Sequence, residues 1–274
     1  MRFNVRKSIL TAVLFSSALL FTQAQQIQRP AAPDIDLQVL LERMKKASDP
    51  DNKAKTVKTL ISKSSGMISM QQIAVNTTFT FKMPDKIKTE IRVKNLPATI
   101  EAYNGKAGWS MVEGVGVQPI AGLQLEFMKL TAKMSNPNND LEDIFTKITL
   151  DKSQWTVGKF QCYKLICYLK KSLQLPPAEI YVDIKKYLPR KMVLSAMTAM
   201  GIIPTETVFG PYKKYNGVLL PSSQTVSSLG MTIATRQISV MINQQIKDSI
   251  FNMPKLAPLG PTSPLKPAST APAQ

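Results

Sequence analysis

The chain offers little conventional side-chain chemistry, and what it lacks is informative. Its 274 residues contain no histidine and two cysteines. Ser-His-Asp and Cys-His nucleophilic machinery is therefore excluded, as is every metal site that needs imidazole. Two cysteines build neither a thiolate zinc site nor a disulfide framework. Cys162 and Cys167 stand in one strand-like run, FQCYKLICYL. Five residues of strand span roughly 16 Å, whereas a disulfide needs Cα atoms about 4.4–6.8 Å apart. Their odd spacing also places them on opposite faces, so two unpaired thiols are expected, at least one of them buried. Asp140, Glu142 and Asp143 cluster at the start of a helical pattern, where capping accounts for them. Asp183 closes the IYVD fragment and is expected at a strand end or turn. Ser/Lys hydrolysis needs no histidine, but no S-x-x-K element stands in a fitting setting. No catalytic residue, metal or cofactor is expected. What the chain does have is apolar surface, with 44% hydrophobic residues and 14 methionines.

The hydrophobic periodicity says which elements present that surface. Gln25–Pro33 reads as a loose linker, and Asp34-Ile35-Asp36 then opens a helix. Leu37, Leu40, Leu41 and Met44 form its stripe, with Lys45-Lys46 at the end that suits the macrodipole. Ala54, Val57, Leu60 and Ile61 suggest a second short helical piece. From Ser65 the period changes to two. Val75, Thr77, Phe79 and Phe81 alternate with polar residues, as do Ile87, Thr89, Ile91 and Val93 after the Met83-Pro84-Asp85 break. That is antiparallel sheet with one apolar and one charged face. Asn104-Gly105 and Asn216-Gly217 are hairpin signals, the first of type I′. Between Pro119 and Leu150 the helical period returns. Leu123, Phe127, Leu130 and Met134 form one stripe, and Leu141, Ile144, Phe145 and Ile148 another. The remainder reads as strands: Phe160–Leu169, Glu179–Ile184, Lys191–Met200, Thr205–Tyr212, Val218–Ser228 and Met231–Ile242. The sheet's apolar face needs a cover, and the helices are the candidates for it. A Pro/Ala/Ser/Thr-rich tail, residues 255–274, is expected to be disordered. The class is thus α+β, mainly β, with one large domain over residues 34–254.

The first 24 residues read as an address. Arg2, Arg6 and Lys7 precede the apolar run from Ile9 to Phe21, and Ala24 offers a small residue at a cut. This is the pattern of a cleaved signal peptide, and the apolar run is short against the roughly 20 residues a span needs. No cysteine follows Ala24, so the lipid-attachment signature is missing. Export to the periplasm is expected. Lys+Arg outnumber Asp+Glu by 35 to 18, with the bases scattered rather than in one run. A solvated surface explains that pattern, and attraction to anionic headgroups or polymers is the functional alternative. Nucleic acid is not expected as a partner, because no binding motif is present.

Several fragments together resemble the LolA-like family of periplasmic outer-membrane lipoprotein-sorting proteins. In chain order they are FKMPDKIKTEI, YNGKAGWSM, VGKFQCYKL, EIYVDIKKYLPRKM, FGPYKKYNGVLLPSS and INQQIKDSIFNMP, covering roughly Ile35 to Pro254. The resemblance implies an unclosed, strongly curved antiparallel β half-barrel covered by a helical lid. It also implies a monomer with a cavity for the acyl chains of lipoproteins or lipids, with inner- and outer-membrane transport components as possible partners. In the family's lipoprotein carrier an arginine before the proline of the FKMP-like motif latches the lid. Here that position is Met83, which cannot donate, and Lys82 beside it should point to the opposite face.

On this reading the lid stripe is Leu123, Phe127, Leu130 and Met134. The facing wall is Phe79, Phe81, Ile91, Trp109 and Met111. Methionine thioethers adapt to ligands of variable shape, and the same positions also read as plain core. Burying a methylene contributes about 0.8 kcal/mol, so a sixteen-carbon chain gains on the order of 12 kcal/mol before ordering costs. Two non-enzymatic readings follow: a carrier that shelters acyl chains, and an envelope protein that holds an anionic polymer or a protein partner on its basic surface.

Overall fold

The computed structural model describes residues 29–198 and 201–255. The expected signal peptide, the first part of the linker and the tail from residue 256 lie outside the described residues.

Helix α1 (Leu37–Ser48) starts where Asp36 supplies a cap: its Oδ1 accepts from the Gln38 and Val39 amides at 2.8 and 3.3 Å. Leu40, Leu41 and Met44 are buried, as their spacing requires. The second helical piece is shorter than its pattern suggested. A 3-10 turn covers Ala54–Thr56, and Leu60 and Ile61 already belong to β1 (Thr59–Ile68). Pairing on both flanks of β1 outweighs a brief helical match in the sequence.

Most of the remaining described chain builds strands or the helices over them. β2 (Ile73–Lys82), β3 (Lys86–Val93), β4 (Thr99–Tyr103), β5 (Gly108–Val112) and β6 (Gly116–Ile120) form a meander. Helices α2 (Gly122–Ser135) and α3 (Leu141–Ile144) interrupt it. The chain resumes with β7 (Lys147–Val157), β8 (Phe160–Tyr168), β9 (Ala178–Asp183), β10 (Pro189–Thr198) and β11 (Gly201–Phe209). It ends with β12 (Tyr212–Tyr215), β13 (Val218–Pro221), β14 (Ser223–Ser228) and β15 (Met231–Ile242). Thirteen strands make one antiparallel sheet in the order β6-β5-β4-β3-β2-β1-β15-β14-β11-β10-β9-β8-β7, while β12 and β13 form a separate ribbon. The sheet does not close into a barrel, because β6 and β7 remain its two edges. This is the expected mainly β, unclosed architecture.

Several local expectations are corrected. The helical insert ends at Ile144, and Ile148 and Leu150 lie in β7, where they pair with Cys167 and Leu165. The run Val218–Ser228 is two strands, and β13 leaves the sheet to pair with β12 through Asn216-Gly217, whose φ values of 49° and 83° suit a tight hairpin. Asn104-Gly105 is not a two-residue turn. Only Gly105 has positive φ, and Asn104 Oδ1 accepts from the Lys106 and Ala107 amides in a longer loop. The linker is tied down where it is described: Ala31 bridges Ser153 at the edge of β7, and the Ala32 amide donates to the Lys152 carbonyl at 2.8 Å.

Both cysteines are free and buried on opposite faces, Cys162 among Val157 and Tyr181 and Cys167 among Leu165 and Ala178. Burial pushes their thiols up to about 11 and about 12 respectively, so neither is a nucleophile at neutral pH. Asp183 sits in the β9–β10 turn, accepting from the Lys185 and Lys186 amides at 2.8 and 3.1 Å. Its other oxygen accepts from Arg190 Nε and NH2 at 3.0 and 2.7 Å, and both side chains are buried. Burial alone would raise the Asp183 pKa, but these four hydrogen bonds and the Arg190 charge together hold it below the usual carboxylate value.

Removing one partner of a buried pair leaves an uncompensated charge, so Asp183→Ala should cost about 3–5 kcal/mol in urea unfolding. A depressed folded pKa means the carboxylate's contribution is present at neutral pH and lost as pH falls below about 4. The wild type should therefore lose part of its stability in that window, and Asp183→Ala should show a flatter acid limb.

Candidate functional site

The apolar inner face of the sheet needs a cover, and α2 supplies much of it. Helix α2 carries apolar residues on two flanks rather than one. Phe127, Leu130 and Met134 pack with Leu40, Met44, Tyr163, Leu165 and Ile180, the core shared by α1 and β8–β9. Leu125, Met128 and Ala132 pack with Phe81, Ile87, Tyr103 and Ile120 of β2, β3, β4 and β6. The helix thus lies in the trough of the open sheet and touches both walls. Gly108 lets it sit close, since a Cβ there would lie 2.8 Å from Met128 Sδ and 3.1 Å from Leu125 Cδ1. The helices are not the sole cover. The β12–β13 ribbon places Val218 and Leu220 against Val57, Leu60 and Ile242.

The end of α2 is fastened to the Met83-Pro84 turn. Asn136 is buried and its Nδ2 donates to the Pro84 carbonyl at 3.0 Å. Asn138 Nδ2 reaches Met83 Sδ at 3.3 Å. The Met83 side chain indeed donates nothing; the donors come from the lid side. Lys82 points to the other face, as its parity required, and donates to the Ile246 carbonyl at 2.7 Å.

Register settles the rest of the inner face. The row Ile242, Leu60, Phe81, Ile87, Tyr103, Gly108 and Ile120 runs across paired strands beneath α2. Further along the same strands the face turns polar: Ser62, Thr89, Glu101, Ser110 and Gln118 follow by the same alternation. Glu101 has no ion-pair or hydrogen-bond partner among the described residues. Its side chain reaches solvent, yet the surrounding wall partly desolvates the carboxyl and pushes its pKa up. Beyond this band the face is apolar again. Ile68 pairs with both Ile73 and Ile233, Ile233 with Val226, and Val75 with Val93. Val75 is buried and the others are half-buried, and none belongs to the cores under the helices. Sequence reasoning passed over this strip, because its residues are spread over five strands and meet only through pairing.

The expected site residues therefore divide. Phe81 lies under the lid with 1% exposure, and Phe79 packs beside it. Ile91 is on the same inner face, 38% exposed and outside the packed core. Phe127, Leu130 and Met134 face the β8–β9 wall, while Leu123 is half-buried at the start of α2. Trp109 and Met111 are not brought together with these. They lie on the outer face with Ile100, Ala102 and Val117. There Trp109 Nε1 donates to the Phe251 carbonyl at 2.8 Å, holding the segment after β15 across the sheet. Asp248 of that segment pairs with Lys82 and Lys86, whose hydrogen bonds and charges lower its carboxyl to about 2. A large aromatic reads as inner core only while the outer face is taken to be solvated, and this strap buries it.

A cleft of about 650 Å³ lies elsewhere, between Ala31–Leu37 and Leu150–Lys152. None of the expected residues lines it. Among the described residues no group of three or more acidic or cysteine side chains is placed to hold a metal.

Comparison with known proteins rests on the fold. No family model matches the chain, and no curated protein matches it. Among solved structures, a DUF1329 family protein from Desulfovibrio piger is similar, with a TM-score of 0.52 at 14% identity over 78% of this chain and 96% of that one. A LolA superfamily protein from Nitrosomonas europaea gives 0.50 at 12% identity over 80% of this chain and 99% of that one. The fold is LolA-like. The inner face, its helical cover and the apolar strip beside it form the candidate site.

Two substitutions test how it is held. Asn136→Ala removes the donor to Pro84 and should cost about 1–2 kcal/mol of lid docking, read as roughly tenfold faster amide exchange in α2. Trp109→Phe leaves the Phe251 carbonyl without its donor. The strap after Ile242 should then be cut by protease faster than in the wild type, while α2 exchange stays the same.

Proposed function

We propose that this chain is a periplasmic carrier that binds the acyl chains of lipoproteins or lipids and conveys them toward the outer membrane. It works by binding and release and catalyses nothing. The lid is α2, and the wall is the inner face of the sheet. One observation carries the reading: α2 is apolar on both flanks and wedged in an unclosed sheet, next to a half-buried apolar strip on that same face that lies outside the cores under the helices. A helix packed in this way is core while the trough is empty and becomes a movable cover when an acyl chain displaces it. The strip of Ile68, Ile73, Val75, Val93, Val226 and Ile233 is where the chain would first lodge. Each methylene moved there from water contributes about 0.8 kcal/mol, which needs no charged group. Lipidated proteins are the cargo class, membrane transport components the loading and receiving partners, and the carrier is a monomer.

A second reading has one observation behind it, the excess of 35 basic over 18 acidic residues. An envelope protein could use that surface to hold an anionic polymer or a protein. Salt separates the two, because surface attraction weakens steeply with ionic strength and apolar burial does not.

A fluorescent fatty acid titrated into the full chain should be taken up, equally at low and high salt. Ile233→Glu places a charge in the strip and should weaken uptake at least tenfold with the fold retained. Absence of uptake by the wild type would remove the carrier reading, and steep salt sensitivity would favour the second.

A further inference from the structure

The sheet's strand order places four hairpin turns in succession along one rim, joining β5–β6, β3–β4, β1–β2 and β14–β15, and brings the end of β10 and the start of β11 to the same rim. Each of the four turns carries a large apolar residue at or beside the tip, mostly in solvent: Val115 at 73%, Leu96 at 61%, Met70 at 75% and Leu229 at 58% exposure. At the start of β11 Ile202 is 43% exposed, and Met231 next to Leu229 is 46% exposed. On the opposite rim the turns Asn104–Ala107 and Gly158-Lys159 present polar or small residues instead.

Single exposed hydrophobes are ordinary, but a repeated pattern on one rim is not. Leu229 adds a second oddity. It occupies φ 49°, a left-handed conformation that favours Gly or Asn and penalises a branched side chain. Turn chemistry would choose asparagine there, so leucine is a choice for the side chain rather than for the turn. The apolar tips stand on separate turns and form no continuous patch, which suits a fluid that closes around each one better than a rigid protein surface. Lys94 lies in the same rim, in a chain whose net charge is +17, which suits anionic headgroups, while Arg92 behind it is paired with Glu90 and Glu113. The half-buried apolar strip of the inner face, ending at Ile68, Ile73 and Ile233, reaches this rim.

We propose that this rim docks on a lipid bilayer, its apolar turn tips entering the headgroup–acyl boundary of a membrane that contains anionic lipid. The docking stands apart from acyl uptake, since none of the tip residues belongs to the strip or the lid.

The test is flotation of the full chain with vesicles of zwitterionic lipid alone and with anionic lipid added. The wild type should float with vesicles, more strongly with anionic lipid. The combined variant Met70→Ser, Leu96→Ser, Val115→Ser and Leu229→Ser should lose at least tenfold of that binding. Its thermal unfolding and its fatty-acid uptake in solution should match the wild type, so failure of docking and failure of the carrier reading are told apart. A wild type that stays with the soluble fraction overturns the proposal, as does a variant that floats undiminished. Concentration-dependent dimerisation of the wild type, abolished in the variant without any change in flotation, would assign the rim to a second copy instead.

Discussion

An open antiparallel sheet has to cover its apolar surface wherever it lies, and most of this molecule follows from that constraint. Thirteen strands stop short of closure, leaving β6 and β7 as edges. A closed barrel would fill its interior with its own strand side chains. This one borrows α1, α2 and the β12–β13 ribbon for the inner face and the segment after β15 for part of the outer face. The two-flanked burial of α2 is the central case. A helix lying on a flat sheet needs one stripe, whereas a helix lying in a trough needs two.

The outer face shows how a basic chain meets the same demand. Over β7–β10 the lysines do not simply project into water. Lys164 is buried, pairs with Glu179 at 2.6 Å and lies 4.2 Å from the centre of the Trp155 ring. Arg29 stacks on that ring at 3.5 Å, and Lys191 lies 4.4 Å from the Tyr181 ring. Cation–π contact and alternating carboxylates let long side chains cover aromatic surface while their charges stay balanced. Some of the basic surplus is therefore structural, which narrows what is left for binding a partner.

The cover of the inner face is incomplete. The inner face is packed under α2, polar along the band containing Glu101 and apolar again toward the rim. The packed part supplies stability and the uncovered part supplies adhesive surface. The lid joins the two, fastened at one end by Asn136 to Pro84 rather than by a donor on the strand side.

Much of this was legible in the residues. The strand periods, the α1 stripe, the helical insert after Pro119, the hairpin at Asn216-Gly217 and the unpaired cysteines are local or near-local properties, and alternation or spacing encodes them directly. So is the exclusion of histidine chemistry, which needs only a composition. Other features depended on segments distant in sequence coming together. Leu60 and Ile61 are strand because β15 and β2 flank them, and Trp109 faces outward because a strap from beyond Ile242 buries it. The apolar strip exists only where β3, β2, β1, β15 and β14 are in register. Periodicity tells which residues of a strand share a face, but only tertiary contact decides what that face meets.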